Sequence, residues 1–488
     1  MASLLRKVGS SSLGFVAGRA LAGLAGVLLL RALGPEQSGI YGAALGFAAL
    51  FAVGATLGLD SALAGAVSRA PQEAGRRWSA GLVHVLLQAL GIALLLALFL
   101  RLGGGAKVPP ALILVAFAIM IINALGQVSA GAMQGLGLFG RQAVLGSMAS
   151  ALSAGGLLAL LLAGVASAGT ALGMALVTAS LGALVWWWGR PEGLHWQRPR
   201  RAELGQSWRL GLPFALLTIG NLLFLKVDQA LLAHLVAPVA LGCYVAAVRL
   251  VDLLVPLLVA LFNPLHPHLA PLYARAAQGE EDAAAAARWA LDRAMRYMGA
   301  LCWPLGVGGS LLAGELVRAL YGPAFDGAAP ALALLVWVAA LSGPLGTLLQ
   351  AAHGLGRTGQ LAKLYFFSFV VNVALNLWLI PRFGIQASAL LSVLGELINL
   401  AVVWAWCRRA GLGLAWRAML WPSLPAALIM GLLLALVGRP AVAGLNAPLA
   451  AAVLVASGAA LYAGALALLG FIGPDERRLL GRLLGRPA

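Results

Sequence analysis

Apolar positions along this chain do not alternate; they run in long blocks that recur almost to its end. A hydrocarbon core about 30 Å thick is crossed by about 20 helical residues rising 1.5 Å each, and each block is that long. Fourteen spans are read at 12–33, 38–59, 79–101, 109–132, 142–163, 169–188, 210–235, 239–262, 297–320, 329–352, 361–381, 385–407, 416–437 and 447–471. The gaps are short and polar, the longest being the charged loop from Asn263 to Arg296. The pattern predicts an all-α polytopic membrane protein.

Composition agrees: 61% hydrophobic and 10% charged residues, with a mean hydropathy of +0.94, lie far from the values of soluble domains. The net charge of +17 comes from Lys and Arg that collect at the N-terminus, in every second gap and in the C-terminal tail. The positive-inside rule then places both termini in the cytoplasm and the protein in the cytoplasmic (inner) membrane. Because the basic residues are split among short patches, orientation in a bilayer with anionic headgroups accounts for them better than nucleic acid does. Trp186, Trp187 and Trp188 stand where an inner aromatic belt belongs. Arg6 and Lys7 precede an apolar run without a small-residue cleavage site, so that run is expected to be the first span and not a removed leader. Cys243, Cys302 and Cys407 have no paired spacing and read as packing residues.

Two traces of duplication survive. Gly39-Ile40-Tyr41-Gly42-Ala43-Ala44 returns as Gly242-Cys243-Tyr244-Val245-Ala246-Ala247, and Gln134-Gly135-Leu136-Gly137-Leu138-Phe139-Gly140 returns as His353-Gly354-Leu355-Gly356-Arg357-Thr358-Gly359. Each pairs one span with that six further on, so two parallel six-helix halves are expected. The implied organisation is a lobe over 1–188, a basic cytoplasmic linker over 189–208, a second lobe over 209–408, and two further helices with a basic tail over 409–488. Halves related this way enclose a cavity, with the substrate site near the midplane. The glycine runs also satisfy the spacing of dinucleotide-binding turns, but they join two apolar helices rather than a strand and a helix, so tight turns are expected and no cofactor. His266 and His268 have no cluster of ligands beside them, and no metal site, nucleotide-binding loop or nucleophile motif is present in the sequence. The chain is not expected to be an enzyme.

A charge in a span is costly unless it faces protein or water. Arg19, Lys226, Asp228, Arg249, Asp252 and Glu396 are such charges. Arg249 and Asp252, three apart, share a helix face, whereas Lys226 and Asp228 do not. Asp228 and Arg249 fall at similar depth on neighbouring spans, which permits a cross-helix ion pair. Two readings stay open: a structural quartet of charges, or a cavity wall in which Arg19, Lys226 and Arg249 meet an anionic headgroup while Asp228, Asp252 or Glu396 carries a coupling ion. Asn123, Asn221, Asn372 and Asn376 lie at comparable depth and would hydrogen-bond sugars or neighbouring helices.

Leu33-Gly34-Pro35-Glu36-Gln37-Ser38-Gly39-Ile40-Tyr41, followed by Leu57-Gly58-Leu59-Asp60-Ser61-Ala62-Leu63, resembles the start of polysaccharide and oligosaccharide flippases. Further similarity lies in Asp228-Gln229-Ala230-Leu231-Leu232, in Gly242 to Leu250 and in Pro381-Arg382-Phe383-Gly384-Ile385-Gln386-Ala387. These flippases belong to the superfamily that also holds multidrug and toxin extruders and lipid II flippases. The resemblance implies two six-helix lobes around a cavity that opens alternately to each side. It also implies movement of a polyprenyl-pyrophosphate-linked oligosaccharide across the membrane for cell-surface polysaccharide synthesis, with H+ or Na+ as coupling ion and polysaccharide assembly proteins as partners. An ion-coupled drug exporter and a lipid II flippase are the alternatives. A membrane glycosyltransferase or polymerase would need a large catalytic loop, and the outer loops are too short to hold one.

Overall fold

The structure, a computed structural model, describes residues 2–56, 58–105, 107–164, 167–200, 204–205, 227–262, 271–273, 275–276, 278–412 and 416–471. Within these, the side chains of 2–20, 53–56, 60–61, 256–257, 259–262, 358 and 418 are not described. Among the described residues every regular element is helical. Ten helices among the described residues are long and apolar enough to cross a membrane, and an eleventh candidate is the bent pair Glu281–Leu311 and Ala313–Tyr321. This is a multi-span, all-α membrane protein. The expected spans 12–33, 38–59 and 210–235 each include residues or side chains outside the described set.

The chain forms two compact units, Met1–Leu253 with Gly359–Leu391 and Leu254–Thr358 with Ser392–Ala488. In the first, α1 (Ala2–Thr56) is interrupted at Gly34, where φ is 71° and ψ is 170°. Glycine tolerates that conformation, and Pro35 disfavours a helical residue before it. The chain doubles back there: the Ser38 hydroxyl donates to the Leu30 carbonyl at 3.2 Å, a pair that a straight helix would hold about 12 Å apart. The two expected spans are thus the arms of a helical hairpin. After Gly58, whose φ is 69°, comes α2 (Leu59–Arg69), a helix where the hydropathy pattern predicts only a span end and a loop. Leu59, Leu63 and Val67 recur every four residues and are buried with Val128, Ala132 and Met133 of α4 (Pro110–Gly135).

Next come α3 (Ala74–Arg101), α5 (Phe139–Leu162) and α6 (Ala168–Trp188), within a few residues of expectation. The capping box of Ser167 and Thr170 starts α6. Pro238 opens α7 (Pro238–Phe262).

In the second unit three expectations need correction. The supposed loop to Arg296 is helical from Glu281, because its Ala-rich run has high helix propensity, and α8 (Glu281–Leu311) carries it into the span. The span expected at 297–320 is not straight: α9 (Ala313–Tyr321) leaves α8 at 74°, where Gly308, Gly309 and Gly314 weaken the helix. After α10 (Ala329–Gly354), the first unit resumes with α11 (Thr358–Phe383) and the start of α12 (Ile385–Cys407), and in the second unit the span expected at 416–437 is also divided. Residues Trp416–Leu420 form one turn, Pro422 interrupts, and α13 (Ser423–Leu433) follows before α14 (Ala447–Leu468).

Both glycine runs are helix-ending turns. Gly137 and Gly356 have φ of 72° and 73°, and each turn is closed by an equivalent bond, Leu138 N to Met133 O at 2.9 Å and Arg357 N to Ala352 O at 3.0 Å.

Candidate substrate cavity and its polar wall

The first duplication is a physical contact inside the first unit. A side chain on Gly39 would lie 1.9 Å from the Pro238 carbonyl oxygen, and one on Gly242 would lie 1.8 Å from the Pro35 carbonyl oxygen. The two repeats therefore touch reciprocally, backbone on backbone, through the residues that match in sequence. Only glycine permits this approach. One step along, a side chain on Gly42 would meet Val245, its counterpart in the other copy.

Beside this contact opens a cavity of about 190 Å³, lined by both arms of α1, by Met120 of α4, Leu157 of α5 and Gln229, and by Val245, Val248, Arg249 and Asp252 of α7. Its wall is mostly apolar, and Tyr41, Gln229, Arg249 and Asp252 supply the polar groups. Arg249 reaches across to α1, where its Nη2 donates to the Ala22 carbonyl at 3.2 Å. Its guanidinium rests against Gly26; a Cβ there would lie 2.2 Å from Nη2 and 2.7 Å from Cζ. The half-buried cation thus rests against the Ala22 and Gly26 face of α1 in a mostly apolar wall, with one carboxylate three residues along its own helix.

Asp228 is engaged differently from expectation. Its Oδ2 accepts the Tyr244 hydroxyl and its Oδ1 accepts the Gln229 amide at 2.7 Å, so Tyr244 replaces Arg249 as its partner across the helices. Ser388 of α12 donates to the Tyr244 oxygen at 3.5 Å, and all three side chains are buried. The expected Asp228–Arg249 pair gives way to this trio because a tyrosine hydroxyl serves a buried carboxylate without a second desolvated charge.

The remaining candidates separate. Asn376 donates to the Asn372 carbonyl at 2.9 Å and to its Oδ1 at 2.8 Å, so these two buried amides bond one another along α11. Asn123 is exposed on α4. Glu396 lies on α12 in the second unit, buried, with Oε2 meeting no hydrogen-bond partner among the described residues. The side chain of Arg19, and all of Asn221 and Lys226, lie outside the described residues. Sequence reasoning missed Gly26, Tyr41, Gln229, Tyr244 and Ser388 as wall or partner residues, although Tyr41 and Tyr244 are equivalent positions of the repeat that it did find.

Residues 4–270, more than half of the chain, match the family of polysaccharide biosynthesis proteins. The chain belongs to that family. In fold, this family member is similar to a lipid II flippase, MurJ, in an inward closed conformation, with a TM-score of 0.74 at 14% identity over 96% of this chain and 99% of that one. It is also similar to a multidrug resistance MATE family transporter of the MOP superfamily, facing inward, with a TM-score of 0.62 at 16% identity over 80% and 94%. A MATE family transporter facing outward gives 0.53 at 17% identity over 83% and 95%. No curated protein matches it in sequence. The superfamily resemblance carried by Leu33 to Tyr41 therefore holds at the level of family and fold.

Proposed function

We propose that this polysaccharide biosynthesis family member is a flippase that carries a polyprenyl-pyrophosphate-linked oligosaccharide across the cytoplasmic membrane by alternating access. The observation that carries the reading is Arg249, a guanidinium held against Gly26 in a mostly apolar cavity where the two repeats meet. Arginine suits a pyrophosphate because its planar fork bonds two oxygens at once. A cavity of about 190 Å³ is on the scale of the phosphates alone, so sugars require the walls to part, which is what alternating access supplies. Asp228, Asp252 and Glu396 are the groups that would carry H+ or Na+; Arg19 and Lys226 would extend the cationic wall, and Asn123 and Asn221 would meet sugars, whereas the mutual bonds of Asn372 and Asn376 make those two a brace within α11. Transport of this kind makes and breaks no covalent bond and gives the chain a carrier's role in surface polysaccharide assembly.

The test is leaflet accessibility of a fluorescent polyprenyl-pyrophosphate oligosaccharide in liposomes bearing the purified protein, with and without H+ or Na+ gradients. Protein-dependent flipping supports the reading and its gradient dependence names the ion. Flipping confined to lipid II, or drug efflux without flipping, would reassign the substrate.

A further inference from the structure

We propose that Gly189–Arg200 is a strap that lies in the headgroup layer and binds anionic phospholipid of the surrounding bilayer, whatever cargo the protein moves. The apolar helix α6 ends at Trp188, so the strap starts where the hydrocarbon ends. A basic linker was expected here, and a simple tether would hang in water. Instead, Leu194 is fully buried in the core formed by α2, α3 and α4. The Gln197 amide donates to Ser79 Oγ at 3.0 Å, and Arg141 donates to the carbonyls of Gly189 at 2.7 Å and Arg190 at 3.3 Å. Gly75 leaves room for the strap: a Cβ there would lie 2.9 Å from the His195 carbonyl oxygen and 3.1 Å from that of Gly193. These ties hold the strap across the first turns of α3 and α5.

With the backbone fixed, two indoles stay outside, Trp188 at 81% exposure and Trp196 at 48%. An apolar ring with a polar N–H is stable at the boundary of lipid and water. The strap and its anchor also gather Arg141, Arg190, Arg198 and Arg200 against the single Glu192. The Arg190 guanidinium lies 4.2 Å over the Trp187 ring and 5.9 Å from that of Trp78, and Arg198 is exposed. Cations interleaved with outward indoles along one short segment match a lipid phosphate above a glycerol ester, and arginine grips phosphate with two N–H groups.

The test uses the full chain in nanodiscs of phosphatidylcholine with rising phosphatidylglycerol. A nitroxide is attached through Gly193→Cys, a position with nothing near its Cβ, while the native thiols are buried. We expect oxygen and a water-soluble relaxant to place the label at headgroup depth. Native mass spectrometry is expected to show phosphatidylglycerol retained over phosphatidylcholine, and that preference to fall about fivefold per arginine in Arg198→Gln and Arg200→Gln. Both residues are exposed, so the helical circular dichroism should not change. A label bathed in water at every composition, or retention indifferent to lipid charge or to both substitutions, overturns the proposal. Displacement of the lipid by inorganic phosphate would assign the arginines to soluble anions and overturn it too. Because the readout is lipid and not flipping, failure of the flippase reading leaves this result interpretable.

Discussion

The guanidinium of Arg249 rests on the bare Cα of Gly26, where a methyl group would fall 2.2 Å from Nη2. The clash is with the far end of a long side chain, which can swing away, so Gly26→Ala should leave thermal stability within about 1 kcal/mol of wild type, helped by alanine's higher helix propensity. Flipping should nevertheless drop at least tenfold, because the cation no longer occupies its place on the wall. Arg249→Ala should abolish flipping while insertion is kept, and Arg249→Lys should recover only part, since an ammonium cannot bond two phosphate oxygens in one plane. Full activity in Gly26→Ala and Arg249→Ala would sink the cationic-cavity reading.

The reciprocal contact of Gly39 and Gly242 behaves differently, because there the obstacle is backbone. Carbonyl oxygens at 1.9 and 1.8 Å from the two would-be side chains cannot rotate aside, so the helices themselves must part. Gly39→Ala and Gly242→Ala should each destabilise this conformation by about 1–3 kcal/mol, the range of overpacked cores. Gly91→Ala, with nothing near its Cβ, is the control and should be neutral or slightly stabilising. Thermal unfolding in detergent decides it; equal melting of all three variants would show that the contact carries no strain.

Hydropathy alone located most long helices because lipid leaves a spanning backbone no other way to satisfy its amides. Thus α10 was expected at 329–352 and runs Ala329–Gly354. Where apolarity was unbroken but the backbone was weak, as at Gly308 to Gly314 and at Pro422, the pattern could not show a bend. The short helix α2 was legible in the spacing of Leu59, Leu63 and Val67, yet too short to register as a span. The repeat pointed straight at the Gly39–Gly242 contact. The cavity did not announce itself: Gly26 looks like any glycine of a small-residue helix, and depth counting put Asp228 beside Arg249 although a tyrosine hydroxyl from the same helix as Arg249 was nearer.

Outside the membrane, Glu280 just ahead of α8 pairs with Arg275, Nη2 to Oε2 at 2.6 Å and Nε to Oε2 at 2.8 Å. The hydrogen bond from Arg275 holds the Glu280 carboxyl below its usual 4.5. A depressed carboxylate stabilises above its unfolded value and loses that contribution as pH falls through the lower, folded one. Amide exchange in the first turn of α8 should therefore be constant from neutral pH down to about 4.5 once intrinsic rates are removed, and accelerate below it. Glu280→Gln should show the acid behaviour at every pH. The pair is fully exposed, so global melting should barely respond.

The Tyr244–Asp228 hydrogen bond allows structure and coupling to be separated. Tyr244→Phe removes the donor and leaves Asp228 Oδ2 in a buried site without that hydroxyl, at a cost of about 1–3 kcal/mol in stability. Asp228→Asn keeps an oxygen to accept from Tyr244, so it should cost less, while it deletes the charge. If Asp228 carries the coupling ion, Asp228→Asn should still flip substrate down its own gradient but ignore an imposed H+ or Na+ gradient. Tyr244→Phe, less stable, should still respond to it. Were Asp228→Asn to remain gradient-driven, Asp228 would be a structural acceptor for Tyr244, and coupling would pass to Asp252 or Glu396, each testable by the same amide substitution.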